Sequence, residues 1–497
     1  MQLVNSQQAR QLDQLSGQFG VPPSQLMENA GLAVAEAVRR RASPGEGPVV
    51  FLVGKGNNGG DAQLAAKILS EKKFSVFLVK SESDFQKYFE KIKQASWLVD
   101  GFLGTGLKGE VTGWMRGVIE QVNHLHKKVL AIDIPSGLSA DKGIVLGVAI
   151  QATVTVCLGN IKLGVVLSPG LDYAGEVVCV DIGIPKKATS QLRLPFHLLE
   201  PKDFKFHFKP RPKNSHKKDF GDLLVVGGSQ GMPGSGFLAS MAALRSGAGL
   251  VTYALPAKAY EKFDPQFAEV MVASVPDEDS GVFTQKSLET VLKLCEKKQV
   301  VLLGPGLGKD PRTGEFVRNL LLQISAPIVL DADGLNLIAS STDILRNRKS
   351  PTVLTPHPGE MAHLLGWQTE EVQKARVSVA LESAKLWNSP LVLKGFRSLI
   401  ATPEGDLYVN PTGNPGMATA GMGDVLSGII SALMAQGFSP IMGALAGVYI
   451  HGLAGDMAKE ALGEKGLIAS DVSAYVPQAI RLLETERDDA RSTMHET

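Results

Sequence analysis

Cysteine is scarce in this sequence, and its three copies lie far apart. Cys157, Cys179 and Cys295 show none of the close spacing that a zinc site or a disulfide framework requires. The pattern argues against both and favours buried thiols in a reducing compartment.

Net charge is almost absent as well. The 51 basic and 50 acidic side chains leave a formal charge of +1, so no overall field attracts nucleic acid or an anionic membrane. We therefore expect small molecules as partners, with neither nucleic acid nor a membrane among them.

Long apolar runs and an export signal are also missing. The opening segment MQLVNSQQARQLDQL lacks the basic stretch followed by an apolar run that marks a secretory signal. Apolar segments are interrupted by glycine, proline or charge well before the roughly 20 residues of a membrane helix. These features predict a cytoplasmic protein that does not span a membrane.

The length and the order of apolar segments predict two α/β domains. A chain of 497 residues exceeds the size at which single hydrophobic cores stop growing. Short β-branched runs alternate with helical stretches in both halves, and a connector rich in Pro, Lys and His lies between them. We place the domains at 1–205 and 215–486 and expect a flexible tail at 487–497.

Glycine is abundant, and its first cluster follows a predicted strand. Val49–Val53 leads into GKGNNGGD at 54–61 and then into a helix. At such a strand end the glycines let backbone amides approach an anion, and the helix adds the positive end of its dipole. A tight turn without a ligand explains the glycines equally well, but it does not need the two asparagines and the aspartate.

Polar residues follow two further predicted strands of this half. Asp100 and Asp133 each end a strand, and Ser136 lies just behind the second. Asn58, Asp100 and Ser136 together could offer oxygen ligands to a hard cation, and none offers the nitrogen or sulfur that zinc prefers. Taken singly, each is also a common turn residue or helix cap.

With LMENAG at 26–31, DGFLGTG at 100–106 and DIPSG at 133–137, residues 1–200 resemble the NAD(P)HX epimerase family. The resemblance implies a Rossmann-like three-layer α/β domain, K+ on Asn58, Asp100 and Ser136, and Asp133 as the acid/base residue that inverts the hydroxyl-bearing carbon of the hydrated nicotinamide ring. The residues expected to bind the hydrated nucleotide are Asn57, Asn58, Gly59, Gly60, Asp61, Gly104, Thr105, Gly106, Leu107, Lys108, Gly109, Glu110 and Asp133. Ala62 departs from the family, which has another glycine there.

The second half carries several glycine-rich strand ends. The most informative is NPTGNPGMATAGMGDVLSG at 410–428, where Asp424 lies at the start of a helix of small and apolar residues. Amides at such a helix start form an anion hole suited to phosphoryl transfer, and Asp424 can accept a proton from a substrate hydroxyl. An ordinary helix cap for Asp424, and close helix–sheet packing for the glycines after Asp222–Val226, are the simpler explanations.

With HPGE at 357–360 and Lys-Gly at 394–395, residues 215–485 resemble the NAD(P)HX dehydratase family of ribokinase-like enzymes. The resemblance implies a ribokinase-like three-layer α/β domain that uses Mg2+ and ADP, or less readily ATP. Expected contacts to the hydrated nucleotide come from Gly236, Gly308, His357 and Asp424. Expected contacts to the adenine nucleotide come from Lys394, Gly395, Phe396, Arg397, Ser398 and Gly423. KGFRS at 394–398 departs from the family's usual KGAGT, and His357 is also explained as a residue that ends a strand.

Both resemblances together imply a bifunctional repair enzyme for hydrated NADH and NADPH (NADHX and NADPHX), and we expect a homo-oligomer. One alternative is that the second half is a vitamin or sugar kinase that stops after phosphorylation, since the first chemical step is shared. Another is that the first half binds a nucleotide without catalysis, although Asp133 argues against this.

Overall fold

The computed structural model describes residues 1–261 and 269–492 and divides the chain into two compact units, Met1–Phe196 and His197–Thr497. Residues 197–205, which we predicted with the first domain, thus group with the second unit. The reason is their packing: Leu199 N donates to Val409 O at 3.0 Å, and the Phe204 ring lies 5.0 Å from that of Tyr449. Each unit is described by itself below.

Unit 1 alternates strands and helices. Its elements are β1 Gln2–Val4, α1 Ser6–Gln18, α2 Pro23–Arg39, β2 Val49–Val53, α3 Asn57–Glu71, β3 Val76–Val79, α4 Glu82–Lys87, α5 Phe89–Gln94, β4 Trp97–Gly101, α6 Gly113–His124, β5 Val129–Ile132, β6 Val154–Leu158, β7 Ile161–Lys162, α7 Leu163–Val166, α8 Gly170–Ala174, β8 Glu176–Val180 and α9 Lys186–Gln191.

The core of unit 1 is a parallel sheet with the strand order β3-β2-β4-β5-β6-β8 among the described residues. Strand β2 is apolar at every position because both of its faces are covered. Val49, Phe51 and Val53 pack with α2 and α3, while Val50 and Leu52 pack with α6. The chain runs from β2 to β3 on one side and later to β4 on the other, so the strand order reverses between β2 and β4. Such a reversal opens a crevice at the carboxyl ends of the strands.

Unit 2 is the larger. Its elements are β9 Phe196–Leu198, which begins at the boundary, β10 Asp222–Val226, α10 Pro233–Arg245, β11 Leu250–Pro256, α11 Ala257–Tyr260, β12 Met271–Val275, α12 Gln285–Cys295, β13 Val300–Leu303, α13 Pro311–Gln323, β14 Ile328–Leu330, α14 Asp333–Leu337, α15 Asp343–Asn347, β15 Thr352–Leu354, α16 Pro358–Leu365, α17 Thr369–Lys374, α18 Arg376–Leu386, β16 Leu391–Leu393, β17 Leu399–Ala401, β18 Leu407–Val409, α19 Met422–Ala435, α20 Pro440–Leu462 and α21 Ala469–Ser492.

The sheet of unit 2 runs in the order β12-β11-β10-β13-β14-β15-β16-β17-β18, parallel up to β16 and antiparallel beyond it. Here the strand order reverses between β10 and β13. The predicted α/β fold is confirmed in both units. The backbone of the predicted tail is helical up to Ser492, and 493–497 lie outside the described residues, so the tail stays a prediction.

Helix α20 is long and apolar enough to cross a membrane by length and composition alone. However, 67% of its apolar window is buried inside the protein, and Ala444, Ala446 and Ile450 belong to the core cluster of unit 2. Its apolar surface is therefore explained by packing against the rest of the unit.

Candidate active sites

A cavity of about 910 Å³ opens at the β2/β4 reversal of unit 1. It brings together most of the residues that the sequence predicted there: Asn57, Asn58, Asp61, Gly104, Thr105, Gly106, Leu107, Lys108 and Asp133. Gly59, Gly60, Gly109 and Glu110 do not line it. The loops after β2 and β4 and the end of β5 thus form one concave site of a size suited to a small molecule.

Gly59 and Gly60 have packing reasons of their own. A Cβ on Gly59 would lie 1.9 Å from the carbonyl oxygen of Gly54, and one on Gly60 would lie 2.9 Å from the Met27 methyl group. Ala62 is fully buried and close to Gly101, where an added Cβ would lie 2.7 Å from that of Ala62. The side chain of Ala62, at which the sequence departs from the family pattern, therefore faces the sheet and not the cavity.

Asp133 occupies a strained turn at the end of β5. Its φ of +67° lies in the left-handed region, and Ile134 N donates to Ile132 O at 2.7 Å across it. Such a tight turn is rare for a residue with a side chain and marks functional sites more often than others. The Asn58 amide donates to the same Ile132 oxygen at 2.8 Å, so Asn58 holds the turn that presents Asp133.

Lys162 is a candidate site residue that the sequence reasoning missed. It lies in the two-residue strand β7, and its buried ammonium donates to Asp133 Oδ1 and to the carbonyls of Leu158 and Asn160, both at 3.0 Å. The Leu158 amide also donates to Asp133 Oδ1, at 3.0 Å. Burial opposes the charged form of Lys162, but the interactions with Asp133 and with two nearby thiol groups together outweigh burial and raise the Lys162 pKa. This ion pair therefore fixes the position of the Asp133 carboxyl group in the site.

Two more carboxyl groups line the same cavity, Asp61 from α3 and Asp13 from α1. Burial raises the pKa of Asp61 to about 7, and repulsion from Asp133 and Asp13 adds to the shift. Burial likewise raises the pKa of Asp13. Burial and mutual repulsion therefore leave the Asp61 carboxyl group partly protonated near neutral pH.

The predicted cation ligands are brought close to one another. Asp100 is fully buried and accepts hydrogen bonds from Ser136 Oγ at 2.6 Å and from Ser136 N at 2.7 Å. Asn58 donates to Leu103 O at 3.1 Å, and Ser136 Oγ accepts from Leu103 N at 2.8 Å. In the part of the chain that the structure describes, no lysine or arginine pairs with Asp100, and burial raises its pKa to about 6.

This oxygen-rich group fits a hard monovalent cation. The side-chain nitrogen of Asn58 donates its two hydrogens to Leu103 O and Ile132 O. The side-chain oxygen of Asn58, Oδ1, is therefore available as an acceptor. Asp100 supplies buried negative charge that no side-chain cation offsets. Among the described residues, no cluster of three or more His, Cys, Asp or Glu side chains is placed to hold a transition metal.

In unit 2, Asp424 lies in the first turn of α19. Gly421 precedes the helix in a left-handed conformation with φ +87°, which turns the chain so that amides at the helix start are exposed. A Cβ on Gly423 would lie 3.3 Å from Lys394 Nζ. Burial raises the pKa of Asp424 to about 7, with repulsion from Asp331 added and Lys394 opposing. That pKa suits a base that works near neutral pH.

Lys394 is the centre of a buried charge network. Its Nζ lies 2.7 Å from Asp331 Oδ1 and 3.6 Å from Glu360 Oε2, and Thr355 Oγ1 also donates to Asp331 Oδ1, at 2.8 Å. The second oxygen of Asp331 is buried and has no partner among the described residues. A buried carboxylate oxygen without a donor is costly, which is consistent with an acceptor reserved for a ligand or an ion. Asp331 and Glu360 were not among the predicted site residues.

His357 caps α16. The ring nitrogen Nδ1 accepts hydrogen bonds from Gly359 N at 3.0 Å and from Glu360 N at 3.2 Å. The backbone N–H of His357 donates to Glu360 Oε2 at 2.7 Å. Burial, with Lys394 nearby, lowers the pKa of the imidazole, so the ring is neutral and its exposed edge is available for a ligand. The simpler explanation, that His357 ends a strand, accounts for the cap but not for its place beside the Lys394 network.

The backbone of the loop 394–398 is strained, and hydrogen bonds from Arg376 hold it in place. Arg397 has φ +54°, and Arg376 donates to the carbonyls of Phe396 at 2.9 Å and Arg397 at 3.3 Å. Ser398 Oγ donates to Gly395 O at 2.9 Å, while the Phe396 ring is 49% exposed. The two long side chains that depart from the family pattern thus lie on a loop whose backbone is fixed.

The two remaining predicted glycines differ in surroundings. Gly236 is buried in α10, where a Cβ would lie 2.3 Å from the Tyr253 ring, so close packing alone accounts for it. Gly308 N donates to Asp333 Oδ2 at 2.9 Å, and Gly308 lies in the loop after β13, at the reversal of the sheet. A role in binding remains a prediction for both.

The missed residues left different signals in the sequence. Asp331 directly follows a predicted strand, as Asp100 and Asp133 do, and the same reasoning would have found it. Lys162 lies in the apolar stretch NIKLGVVL, where one lysine carries no periodic signal. Its partner Asp133 is 29 residues away, a pairing that only folding reveals.

The folds and sites define a class: a two-unit α/β enzyme in which each unit places buried carboxyl groups directly after the ends of parallel strands. Comparison with known proteins extends this. The family model described as NAD(P)H-hydrate dehydratase matches residues 223–478, and the model described as YjeF-related protein N-terminus matches 23–91 and 78–164.

Curated relatives cover nearly the whole chain. The bifunctional NAD(P)H-hydrate repair enzyme of Moorella thermoacetica is 39% identical, with 98% of each chain covered. That of Coxiella burnetii is 35% identical over 95% of this chain and 98% of its own, and that of Escherichia coli is 31% identical over 96% and 93%. The chain belongs to the bifunctional NAD(P)H-hydrate repair enzyme family, as its motifs predicted.

Solved structures resemble unit 2. The ADP/ATP-dependent NAD(P)H-hydrate dehydratase of Bacillus subtilis, co-crystallised with ATP and Mg2+, is 28% identical with a TM-score of 0.50, covering 58% of this chain and 99% of that one. A ribokinase-like superfamily protein of Enterococcus faecalis is 26% identical with a TM-score of 0.51, covering 59% and 98%. The ribokinase-like prediction is confirmed.

Proposed function

We propose that this chain repairs hydrated NADH and NADPH, with epimerisation of the R and S hydrates in unit 1 and nucleotide-dependent dehydration of the S hydrate in unit 2. The observation that carries the proposal is the pairing of two complete acid/base sites, one around Asp133 and one around Asp424, in a chain whose family performs this repair. One unit supplies the epimer that the other consumes, which gives the fusion its purpose.

In unit 1, the hydrated ring binds in the 910 Å³ cavity, where Asp133 is held in its strained turn by Asn58 and paired with Lys162. The loop 104–108 lines the opposite side of the β2/β4 crevice and covers the nucleotide. K+ on Asn58, Asp100 and Ser136 would offset the buried Asp100 charge and stiffen the loop that carries Leu103. Substitution of K+ by Na+ or Li+ is then expected to weaken hydrate binding.

In unit 2, Asp424 takes the proton of the substrate hydroxyl while the amides at the start of α19 receive the phosphoryl group. ADP, or less readily ATP, lies against the loop 394–398 and Gly423, and Lys394 faces the transferred group. Mg2+ would neutralise the phosphates, and the free buried oxygen of Asp331 is the acceptor best placed to orient it or its water. The C–O bond then breaks with release of phosphate, the neighbouring ring carbon loses a proton, and the C=C bond that forms restores the dihydropyridine.

The test is a complete repair assay. The purified chain is incubated with mixed epimers of NADHX, K+, Mg2+ and either ADP or ATP, and restored NADH is followed by absorbance. Full conversion of both epimers, lost in Asp424→Asn and retained in the matched surface variant Asp343→Asn, supports the proposal and identifies the nucleotide. A stable phosphorylated vitamin or sugar without restored NADH would instead establish the kinase alternative.

Two further statements stay predictions. We expect a homo-oligomer and a cytoplasmic location. Size-exclusion chromatography with light scattering measures the first, and localisation of a tagged chain measures the second.

A further inference from the structure

The cavity of unit 1 contains a nearly buried carboxyl group that has no hydrogen bond or ion pair, that of Asp61. Asp133 has Lys162 and the Leu158 amide, whereas no hydrogen bond or ion pair reaches the Asp61 carboxyl group in the described part of the chain. Asp61 is nonetheless only 5% exposed and lines the cavity. Burial without a partner favours the protonated form of a carboxyl group, so Asp61 is suited to donate a proton, while Asp133 lies in the same cavity as an acceptor.

The two groups also reach the cavity from different directions. Asp61 lies on α3, which follows β2, while Asp133 ends β5, and β4 runs between these strands. Both carboxyl groups line the same cavity. A proton donor and a proton acceptor that face one site from separate elements can invert a carbon centre by exchange of its oxygen.

The hydroxyl-bearing carbon of the hydrate is bonded to the ring nitrogen, and this bond allows two routes to inversion. Loss of water forms a C=N⁺ bond, to which water returns from the other face. Opening of the ring instead gives an aldehyde, which keeps the original oxygen and closes on the other face. A paired acid and base serves the first route.

Resting on the proposed epimerase function, we propose that Asp61 is the second acid/base residue of unit 1 and that epimerisation proceeds by loss and re-addition of water between Asp61 and Asp133. Asp61 gives its proton to the departing hydroxyl, the C–O bond breaks, and the nitrogen lone pair forms C=N⁺. A water then adds from the other face, its oxygen forms the new C–O bond, and its released proton passes to Asp133. The reverse reaction returns both protons.

The test follows the oxygen atom. The chain is incubated with one NADHX epimer in H₂¹⁸O with K+ and without ADP. The two epimers are then separated, and the molecular mass of each is measured by mass spectrometry. The rate of inversion without enzyme is subtracted from the rate with enzyme. Wild type is expected to place one solvent oxygen in each inverted molecule. Asp61→Asn should slow inversion about 100-fold or more, the usual contribution of a general acid, Asp61→Glu should restore part of the rate, and the surface variant Asp172→Asn should match wild type.

Each other outcome has a distinct meaning. Inverted molecules that keep the original oxygen would overturn the water-exchange route, and an Asp61→Asn chain that inverts at the wild-type rate would overturn the role of Asp61. If wild type did not invert the epimers at all, the proposed epimerase function itself would fail. Hydrogen exchange of the peptides that contain β5 and β6 at the wild-type rate shows that unit 1 of the Asp61→Asn chain is folded.

Discussion

Replacing Lys162 by methionine tests whether its ammonium holds the unit 1 site together. Methionine keeps the length and the apolar stem of lysine but removes all three hydrogen bonds, those to Asp133 and to the carbonyls of Leu158 and Asn160. The Lys162 side chain is only 4% exposed, so water does not replace what is lost. Asp133 would then carry its charge in a buried site without a partner.

The expected loss is large. Removing one partner of a buried ion pair costs about 3–5 kcal/mol, because the remaining charge is left without compensation. At 1.4 kcal/mol per factor of ten, this corresponds to an opening equilibrium roughly 10²- to 10³-fold more favourable in unit 1. The double variant Lys162→Met, Asp133→Asn removes both charges, and Asn still accepts from the Leu158 amide, so most of the stability should return.

Hydrogen exchange followed by mass spectrometry resolves the effect by region. Peptides that contain β5 and β6 report on unit 1, those that contain β10 and β13 report on unit 2, and the exposed variant Lys142→Met serves as the control. Faster exchange in β5 and β6 alone, reversed in the double variant, is the expected result. Equal exchange in wild type and Lys162→Met, or no recovery in the double variant, would refute the ion-pair reasoning.

Three further predictions concern the remaining features. The pKa of Asp424 is raised to about 7 in the folded state, so its contribution to stability is fully present below about pH 4 and is lost as the pH rises through 7. Asp424→Asn should therefore stabilise unit 2 relative to wild type more at pH 8 than at pH 5. If the difference between the two chains in thermal unfolding did not change with pH, the raised pKa would be contradicted. Arg376→Lys breaks the two hydrogen bonds to the loop 394–398 and should raise the KM for ADP roughly 30-fold, as the loss of two hydrogen bonds of about 1 kcal/mol each implies. An unchanged KM, matching the exposed control Arg312→Lys, would show that these bonds do not support the loop. Ala62→Gly should lower the stability of unit 1 by about 1 kcal/mol, the helix cost of glycine, and leave the KM for the hydrate within twofold, because Ala62 packs towards Gly101; a tenfold change in KM would place its side chain in the binding site.

Local patterns carried much of the prediction. Central strands such as β2, β10 and β13 match the predicted residues because a strand covered on both faces must be apolar throughout. Strand ends with polar residues pointed to the loops that line the unit 1 cavity, since parallel strands bring their carboxyl ends to one edge. Strands β12 and β17 were missed: the first is partly exposed and the second has three residues, so neither carries a clear periodic signal.

Residue types and their order along the chain thus determined the two α/β units and the family, and they marked Asp133 and Asp424 as candidate acid/base residues. Tertiary structure decided which charges meet. Lys162 pairs with Asp133 across 29 residues and Lys394 with Asp331 across 63, and Asp61 is left without a cation although it belongs to a recognisable motif. The reason is physical: the protonation state of a carboxyl group depends on its burial and on charges within a few ångströms, and strand order in the folded sheet sets both.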